Sequence, residues 1–339
     1  MKRKSIIAFI ALITLFVLAS TFITWHIMYR ANVLKESFLY IHNKSSPDQF
    51  ITIADSSGAI ENLNTLRWMS KVGRLSVAEP GRYKITPGMG NREIIRLVKY
   101  GWQTPVKITI SGNIRTKEKL AEVISRNIRP DSLMILEMLN NDSLARELGF
   151  DSYNLIGMFR PNTYEVFWTS SPEDIARRFK KEYDAYWNEE RVNKATSLNL
   201  TLQEIVTLAS IVSEESNVKS EYPIIAGVYL NRIKKKMPLQ ADPTVKYAVG
   251  DFTLKRVLIK HLGVDSPYNT YKYSGLPPGP ICIPSSDVVD GVLNRINHKY
   301  LYFCAKASLD GTHAFAATLS EHNRNAQMYQ KALNRLKIR

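Results

Sequence analysis

The longest uninterrupted apolar pattern in the 339-residue chain comes first. From Ser5 to Tyr29 there is no Asp, Glu, Lys or Arg and one histidine, His26. A helix needs about 20 apolar residues to cross a bilayer, so this run suffices. It is preceded by Lys2, Arg3 and Lys4, a cluster that stays on the cytoplasmic side and sends everything after about residue 30 outward. A cleaved signal peptide is the alternative, with Ile6 to Leu18 as its apolar region and Leu18-Ala19-Ser20 as a poor cleavage site. The run continues through Phe22, Ile23 and Trp25, however, and Trp25 and Tyr29 sit where interfacial aromatics belong. The reading is a cytoplasmic tail over residues 1–4 and a single-pass anchor in the cytoplasmic (inner) membrane over 5–29. The rest of the chain is extracytoplasmic or periplasmic.

Residues 30–47 read as a juxtamembrane linker. From Gln49 the segment QFITIA alternates like a strand. GRYKI (Gly81 to Ile85) is a second strand, Thr86-Pro87-Gly88 a turn, and Asn91 to Gly101 a helix capped by Asn91 and closed by the glycine. PVKITI (Pro105 to Ile110) alternates cleanly. These elements make a small α+β unit over 48–112, either a binding module or a packing subdomain without a ligand of its own. Beyond it helical periodicity dominates. Helices are predicted over Thr116–Ile128, over Asp131–Leu148 with Gly149 as the stop, and from Ser171 with Pro172 in first position. Between the last two, GMFRPNTYEVFW (Gly157 to Trp168) is aromatic enough for Tyr164 and Trp168 to serve either as core or as a sugar platform. No fixed-period repeat or low-complexity tract interrupts this pattern. The fold class is α+β: one membrane helix, a small mixed unit, and a mainly helical domain with short strands over 113–339.

The next helix carries the sharpest signal. TLQE at Thr201–Glu204 is a capping box ahead of an apolar run. With Ile205 at zero and about 100° per residue, Leu208, Ala209, Ile211 and Val212 share one face. Glu214 falls at about 180°, opposite that face, and Glu215 at about 280°, within it. A carboxyl on the buried face at the negative end of a helix dipole loses hydration and favours its protonated form. Such a group is a general acid in waiting. Its alternatives are a structural glutamate paired with an arginine such as Arg232, or a frayed end in solvent.

Charge narrows the partners. The chain has 46 Lys+Arg and 31 Asp+Glu, net +15. Removing the first 30 residues takes away four positive charges and no acid, leaving +11. So basic an exterior asks for an anionic partner: nucleic acid, acidic lipid or the carboxylate-rich peptidoglycan mesh. Export removes nucleic acid. The basic runs Arg177-Arg178, Lys180-Lys181 and Lys234–Lys236 read as solvated faces. Two cysteines, Cys282 and Cys304, do not make a disulfide framework. No HExxH, paired CxxC, Walker loop or GxSxG occurs, so neither a metal nor an organic cofactor is expected.

LASIVSEESNVKSEYPIIAGVYLNRIKKKMPLQADPTVKYAVG (Leu208 to Gly250) resembles the endolytic peptidoglycan transglycosylases of the MltG or YceG-like family. YNTY (Tyr268 to Tyr271), GLPPGPI (Gly275 to Ile281), YLYF (Tyr300 to Phe303), GTHAF (Gly311 to Phe315) and EHN (Glu321 to Asn323) match in order. The resemblance implies a LysM-like subdomain for the small unit and places the family's catalytic glutamate on Glu215. Family members often carry another glutamate two residues earlier, where this chain has Ser213. The implied reaction is non-hydrolytic. Glu215 protonates the oxygen leaving MurNAc C1, then takes the proton of the same sugar's C6 hydroxyl, leaving a 1,6-anhydro end during cell-wall assembly and strand termination. Gln240, Asp242, Thr244, Tyr268, Asn269, Tyr271, His313, His322 and Asn323 are the expected sugar-binding residues. Peptidoglycan strands are the expected substrate, and peptidoglycan synthases are candidate partners. Two rivals stand beside this: a hydrolytic muramidase with Asp242 or Glu165 as second carboxylate, and an inactive membrane-tethered peptidoglycan-binding scaffold.

Overall fold

Helix capping and the burial of apolar stripes account for most of the architecture. A computed structural model describes residues 2–254 and 256–336, excepting the side chains of Lys2 and Arg3. Two of the three basic side chains expected on the cytoplasmic side therefore lie outside the described residues. The chain divides into two units, one of residues 1–107 with 127–129 and 165–170, the other made of the remainder.

In the first unit, α1 (Lys2–Tyr29) leads into β1 (Ser37–Ile41), α2 (Pro47–Ser56), α3 (Leu63–Val72), β2 (Gly81–Ile85) and α4 (Asn91–Lys99). Its apolar stretch Lys4–Tyr29 is 26 residues long, about 39 Å at helical rise. That exceeds the roughly 30 Å hydrocarbon core of a bilayer. β1 and β2 pair antiparallel from Ser37↔Ile85 to Ile41↔Gly81. Phe50, Leu66, Tyr83, Ile94 and Val98 lie in the core beneath them.

Three expectations change here. QFITIA is helical, because Ser46 and Gln49 close a capping box, Pro47 occupies the first turn, and Phe50, Ile51 and Ala54 bury one side. Residues 30–47 are no linker, since they supply β1. Asn91 is inside α4, whose cap is Gly90. Its buried amide donates to the Ile27 carbonyl at 2.8 Å and accepts from Asn32 at 2.6 Å.

β3 (Val106–Ile110) forms as predicted but pairs with β4 (Asn162–Val166), not with β2. The second unit continues with α5 (Lys117–Ser125), α6 (Ser132–Leu139), α7 (Asp142–Glu147), α8 (Pro172–Tyr186), α9 (Glu189–Ser197) and α10 (Leu202–Glu215). Then come α11 (Tyr222–Lys234), α12 (Asp242–Val249), α13 (Ile259–Leu262), α14 (Ser286–Leu293), β5 (Tyr302–Ala305), β6 (His313–Ala316) and α15 (Leu319–Arg335). The single helix expected over Asp131–Leu148 is two, because Asn140 ends α6 and the Asn141 side chain caps α7. Tyr164 and Trp168 are core. Tyr164 packs on Phe179 and donates to the Arg160 carbonyl at 2.7 Å, and Trp168 meets Tyr40 and His42 edge-on. The described molecule is thus mainly helical with a few short strands and one apolar N-terminal helix.

α10 is the axis of the second unit, packed by α9, α11, α12 and α14. All eight residues from Ile205 to Val212 are buried, so its burial runs around the whole helix and not along one face. The GLPPGPI loop lies on it: Ile281 N–H donates to Ser210 Oγ at 2.9 Å.

Candidate active site

The capping box at Thr201 and Glu204 starts α10, and Glu215 is its last residue. Beyond it Ser216 turns the chain extended (φ −144°), which opens the helix end onto a cleft of about 400 Å³. Glu215, Tyr229, Arg232, Gln240, Asp242, Tyr271, His313 and His322 all line this cleft. Glu215 is half-buried, keeping one face on the cleft. Burial pushes its pKa up to about 7, the nearby Asp242 charge adds to the rise, and a hydrogen bond from Tyr229 opposes it. That bond, from the Tyr229 hydroxyl to Oε1, is 2.6 Å long. Tyr229 is buried on α11 and its own pKa is driven well up by burial and by Glu215.

The neighbouring carboxyl behaves differently. Glu214 is not turned to solvent as the helical wheel predicts. Its side chain is 17% exposed and pairs with Arg115 at 2.8 Å. Of two adjacent half-buried glutamates, one has a cation and the other a phenol.

Arg232 does not pair with Glu215. Its guanidinium donates to the carbonyls of Leu301 (2.7 Å), Leu239 (2.9 Å) and Pro238 (3.1 Å) and to the Gln240 amide oxygen (3.3 Å). Gln240 has φ +49°, a left-handed conformation uncommon outside glycine. This turn delivers Asp242 as the first residue of α12, where it accepts from the Tyr271 hydroxyl at 2.7 Å.

Opposite, Glu221 accepts from the His313 backbone N–H at 2.7 Å and from Ser216 at 3.0 Å, and its Oε2 lies 2.7 Å from His313 Nδ1. Burial works to raise the Glu221 pKa, but these hydrogen bonds outweigh it and hold it low. Nδ1 is thereby committed, and Nε2 is the ring nitrogen left for the cleft. His322 stacks on Tyr302, and burial with the Arg232 charge lowers its pKa.

Four of the expected sugar-binding residues do not line the cleft. Thr244 is buried and spends its hydroxyl on the Ala241 carbonyl at 2.7 Å and on Thr270 at 2.8 Å. Asn269 donates to the carbonyls of Leu262 and Val264, both at 2.8 Å, and its oxygen accepts from Tyr271 N–H at 3.0 Å. Tyr268 packs on Tyr247. Asn323 is exposed on α15. Thr244 and Asn269 shape the loops that carry Asp242 and Tyr271. Tyr229, Glu221 and Tyr302 escaped the sequence reading although all three stand within matching segments, because nothing in their spacing marks them. Cys304 lines the cleft as a free thiol and Cys282 is buried and free. Among the described residues no group of three or more His, Cys, Asp or Glu is arranged to hold a metal ion.

The model of the YceG-like family matches residues 39–328, a span that contains every residue of this cleft. The chain belongs to the YceG-like family. This YceG-like chain is 31% identical over 314 residues to the endolytic murein transglycosylase of Bacillus subtilis strain 168, covering 87% of itself and 85% of that protein. The endolytic murein transglycosylase of Streptococcus pneumoniae strain D39 is 26% identical over 87% of the chain, which spans 58% of that longer protein. A crystal structure of a YceG-like protein from Listeria monocytogenes superposes with a TM-score of 0.56 at 27% identity, over 86% of this chain and 98% of the other.

Proposed function

We propose that the chain is a membrane-anchored endolytic murein transglycosylase with Glu215 as its acid and base. The observation that carries this is a carboxyl at the end of a buried helix, facing a cleft, whose pKa sits at about 7. The group is therefore substantially protonated at neutral pH, ready to give a proton and able to take one back. In the reaction, Glu215 protonates the glycosidic oxygen as its bond to MurNAc C1 breaks. The C6 hydroxyl oxygen of the same sugar bonds to C1, and its proton goes to Glu215. The acid is regenerated, no water is consumed, and the ring ends as 1,6-anhydro-MurNAc. Tyr229 steadies the carboxylate between the two transfers. Gln240, Asp242, Tyr271, His313 and His322 bind and orient the sugars.

The apolar α1 supports a single-pass membrane anchor, and Lys2, Arg3 and Lys4 support an N-terminus in the cytoplasm with both units outside. The first unit is read as LysM-like, a reading supported by its pair of helices enclosed between paired strands. Peptidoglycan synthases working on the same strands are the candidate partners.

Asp242 favours one second reading. It shares the cleft with Glu215, and a hydrolase needs such a pair of carboxylates. Glu165, exposed on β4, does not line the cleft. Mass spectrometry of purified peptidoglycan treated with the full-length protein, wild type beside Glu215→Gln, separates the readings. Internal cleavage to 1,6-anhydro ends, absent with the variant, is expected. Reducing ends would assign Asp242 as the base of a hydrolase, and intact strands with both proteins would leave a binding scaffold.

A further inference from the structure

The last turn of α1 and the first half of α4 enclose a recess of about 400 Å³ lined by Met28, Tyr29, Arg92, Glu93, Arg96 and Trp102. It is well removed in sequence from the cleft residues and belongs to the first unit. Arg92 and Arg96 stand one turn apart on α4, both exposed. Each rests on an aromatic ring, and among the described residues neither has a carboxylate partner. The Arg92 guanidinium lies 5.4 Å from the Tyr29 ring centre and donates to its hydroxyl at 2.7 Å, and that of Arg96 lies 5.1 Å from the Trp102 ring. A guanidinium stacked by one face keeps its N–H edge for a planar or tetrahedral oxyanion. Glu93 offsets one of the two charges, so the recess is net cationic.

The wall supplies a second observation. Met28, Leu97 and Trp102 are apolar, and Trp102 and Tyr100 are exposed beside each other at 5.3 Å. A free anion has no use for such a wall, whereas the junction of a phosphate and acyl chains does. Its height agrees, because the apolar span ends at Tyr29 and the headgroup layer begins where the hydrocarbon core stops. The Asn91 and Asn32 amides fix α4 against the end of α1, which preserves the recess.

We propose that this recess binds the headgroup phosphate of an anionic phospholipid, held between Arg92 and Arg96 with its chains beside Trp102 and Met28. The proposal rests on the reading of α1 as a membrane anchor.

The test uses the full-length chain in vesicles of mixed phosphatidylglycerol and phosphatidylcholine. Extraction follows, with native mass spectrometry of the lipids retained. Phosphatidylglycerol should be retained in preference, and Arg92→Gln with Arg96→Gln should weaken retention about fivefold per arginine. Arg92→Lys with Arg96→Lys should keep part of it. A control of matched charge, Lys181→Gln with Lys194→Gln, should change nothing. Equal retention of the two lipids, or full retention by the double glutamine variant, would overturn the site. Inorganic phosphate raising the melting temperature without any headgroup preference would also overturn it, by assigning the recess to a free anion. Flotation with neutral vesicles reads the anchor separately: a chain that fails to float sinks both readings, and one that floats without headgroup preference sinks only this one.

Discussion

Glu215 and Glu214 are adjacent, both withdrawn from water, and differ in what stands next to them. Glu214 pairs with Arg115, whereas Glu215 has Tyr229 and, further off, Asp242. The consequence for stability has a sign. The Glu215 carboxyl holds its proton to about pH 7 in the folded chain and loses it near 4.5 when unfolded. Its stabilising contribution is therefore complete below 4.5 and is lost as pH rises through 7. Glu215→Gln cannot ionise, so it should match wild type near pH 4 and exceed it by about 1–3 kcal/mol at pH 8. Denaturant unfolding at the two pH values checks this, and a constant offset would contradict the raised pKa. Catalysis should fall in the same variant by about 10²–10⁴-fold, the usual share of a general acid. Tyr229→Phe removes a hydrogen bond that favours the carboxylate, so the alkaline limb of the rate profile should move above pH 7 while kcat drops. A limb that moves down would show that Tyr229 supports the protonated form instead.

At the scale of elements, several helix starts were legible and strand partners were not. Thr116, Ser171 and Thr201 cap where the sequence places them, since a cap is a contact three residues long. QFITIA misled because alternation over four residues also fits one side of a short helix, and Ser46 with Pro47 decided the matter from outside the window. GRYKI was legible as a strand but its partner was not: β2 pairs with β1, which lies in the stretch read as a linker. At the site, Glu215 was legible from its place on α10, while Glu221 and Tyr229 became visible only once α11 lay beside it. The matching motifs prove to be of two kinds. GLPPGPI supports the fold: a Cβ on Gly279 would meet the Tyr153 carbonyl oxygen at 2.2 Å. Gly279→Ala should therefore destabilise by about 1–3 kcal/mol or more, seen as a lowered unfolding midpoint. The loops carrying Asp242 and Tyr271 share a buried hydroxyl contact, Thr244 to Thr270. Thr244→Val keeps the shape and strands Thr270, at a cost of about 1–3 kcal/mol, and should raise KM by loosening the cleft wall. An unchanged KM would mean that the loops hold their places without it.

Over the whole molecule, the charge beyond residue 30 remains +11, spread across a basic exterior whose runs are partly spent on local pairs such as Arg177–Glu147 and Lys180–Asp184. What remains acts at long range and is screened by salt. Binding of the Glu215→Gln protein, in which cleavage is expected to be slowed, to purified cell walls should therefore weaken several-fold as ionic strength rises from about 0.05 to 0.5 M. Salt-independent binding would assign the affinity to short-range sugar contacts. The join between α1 and α4 carries a different lesson. Asn91 ties the Ile27 carbonyl to the folded unit, and a Cβ on Gly90 would come within 2.9 Å of the Met28 carbonyl oxygen. A tether of loose chain would let its cargo sweep a hemisphere above the bilayer, searching by diffusion. These contacts leave the join little slack, so on the proposed reading of α1 as an anchor the rest of the first unit follows its helix like a flag on a mast, answering to the tilt of the pole.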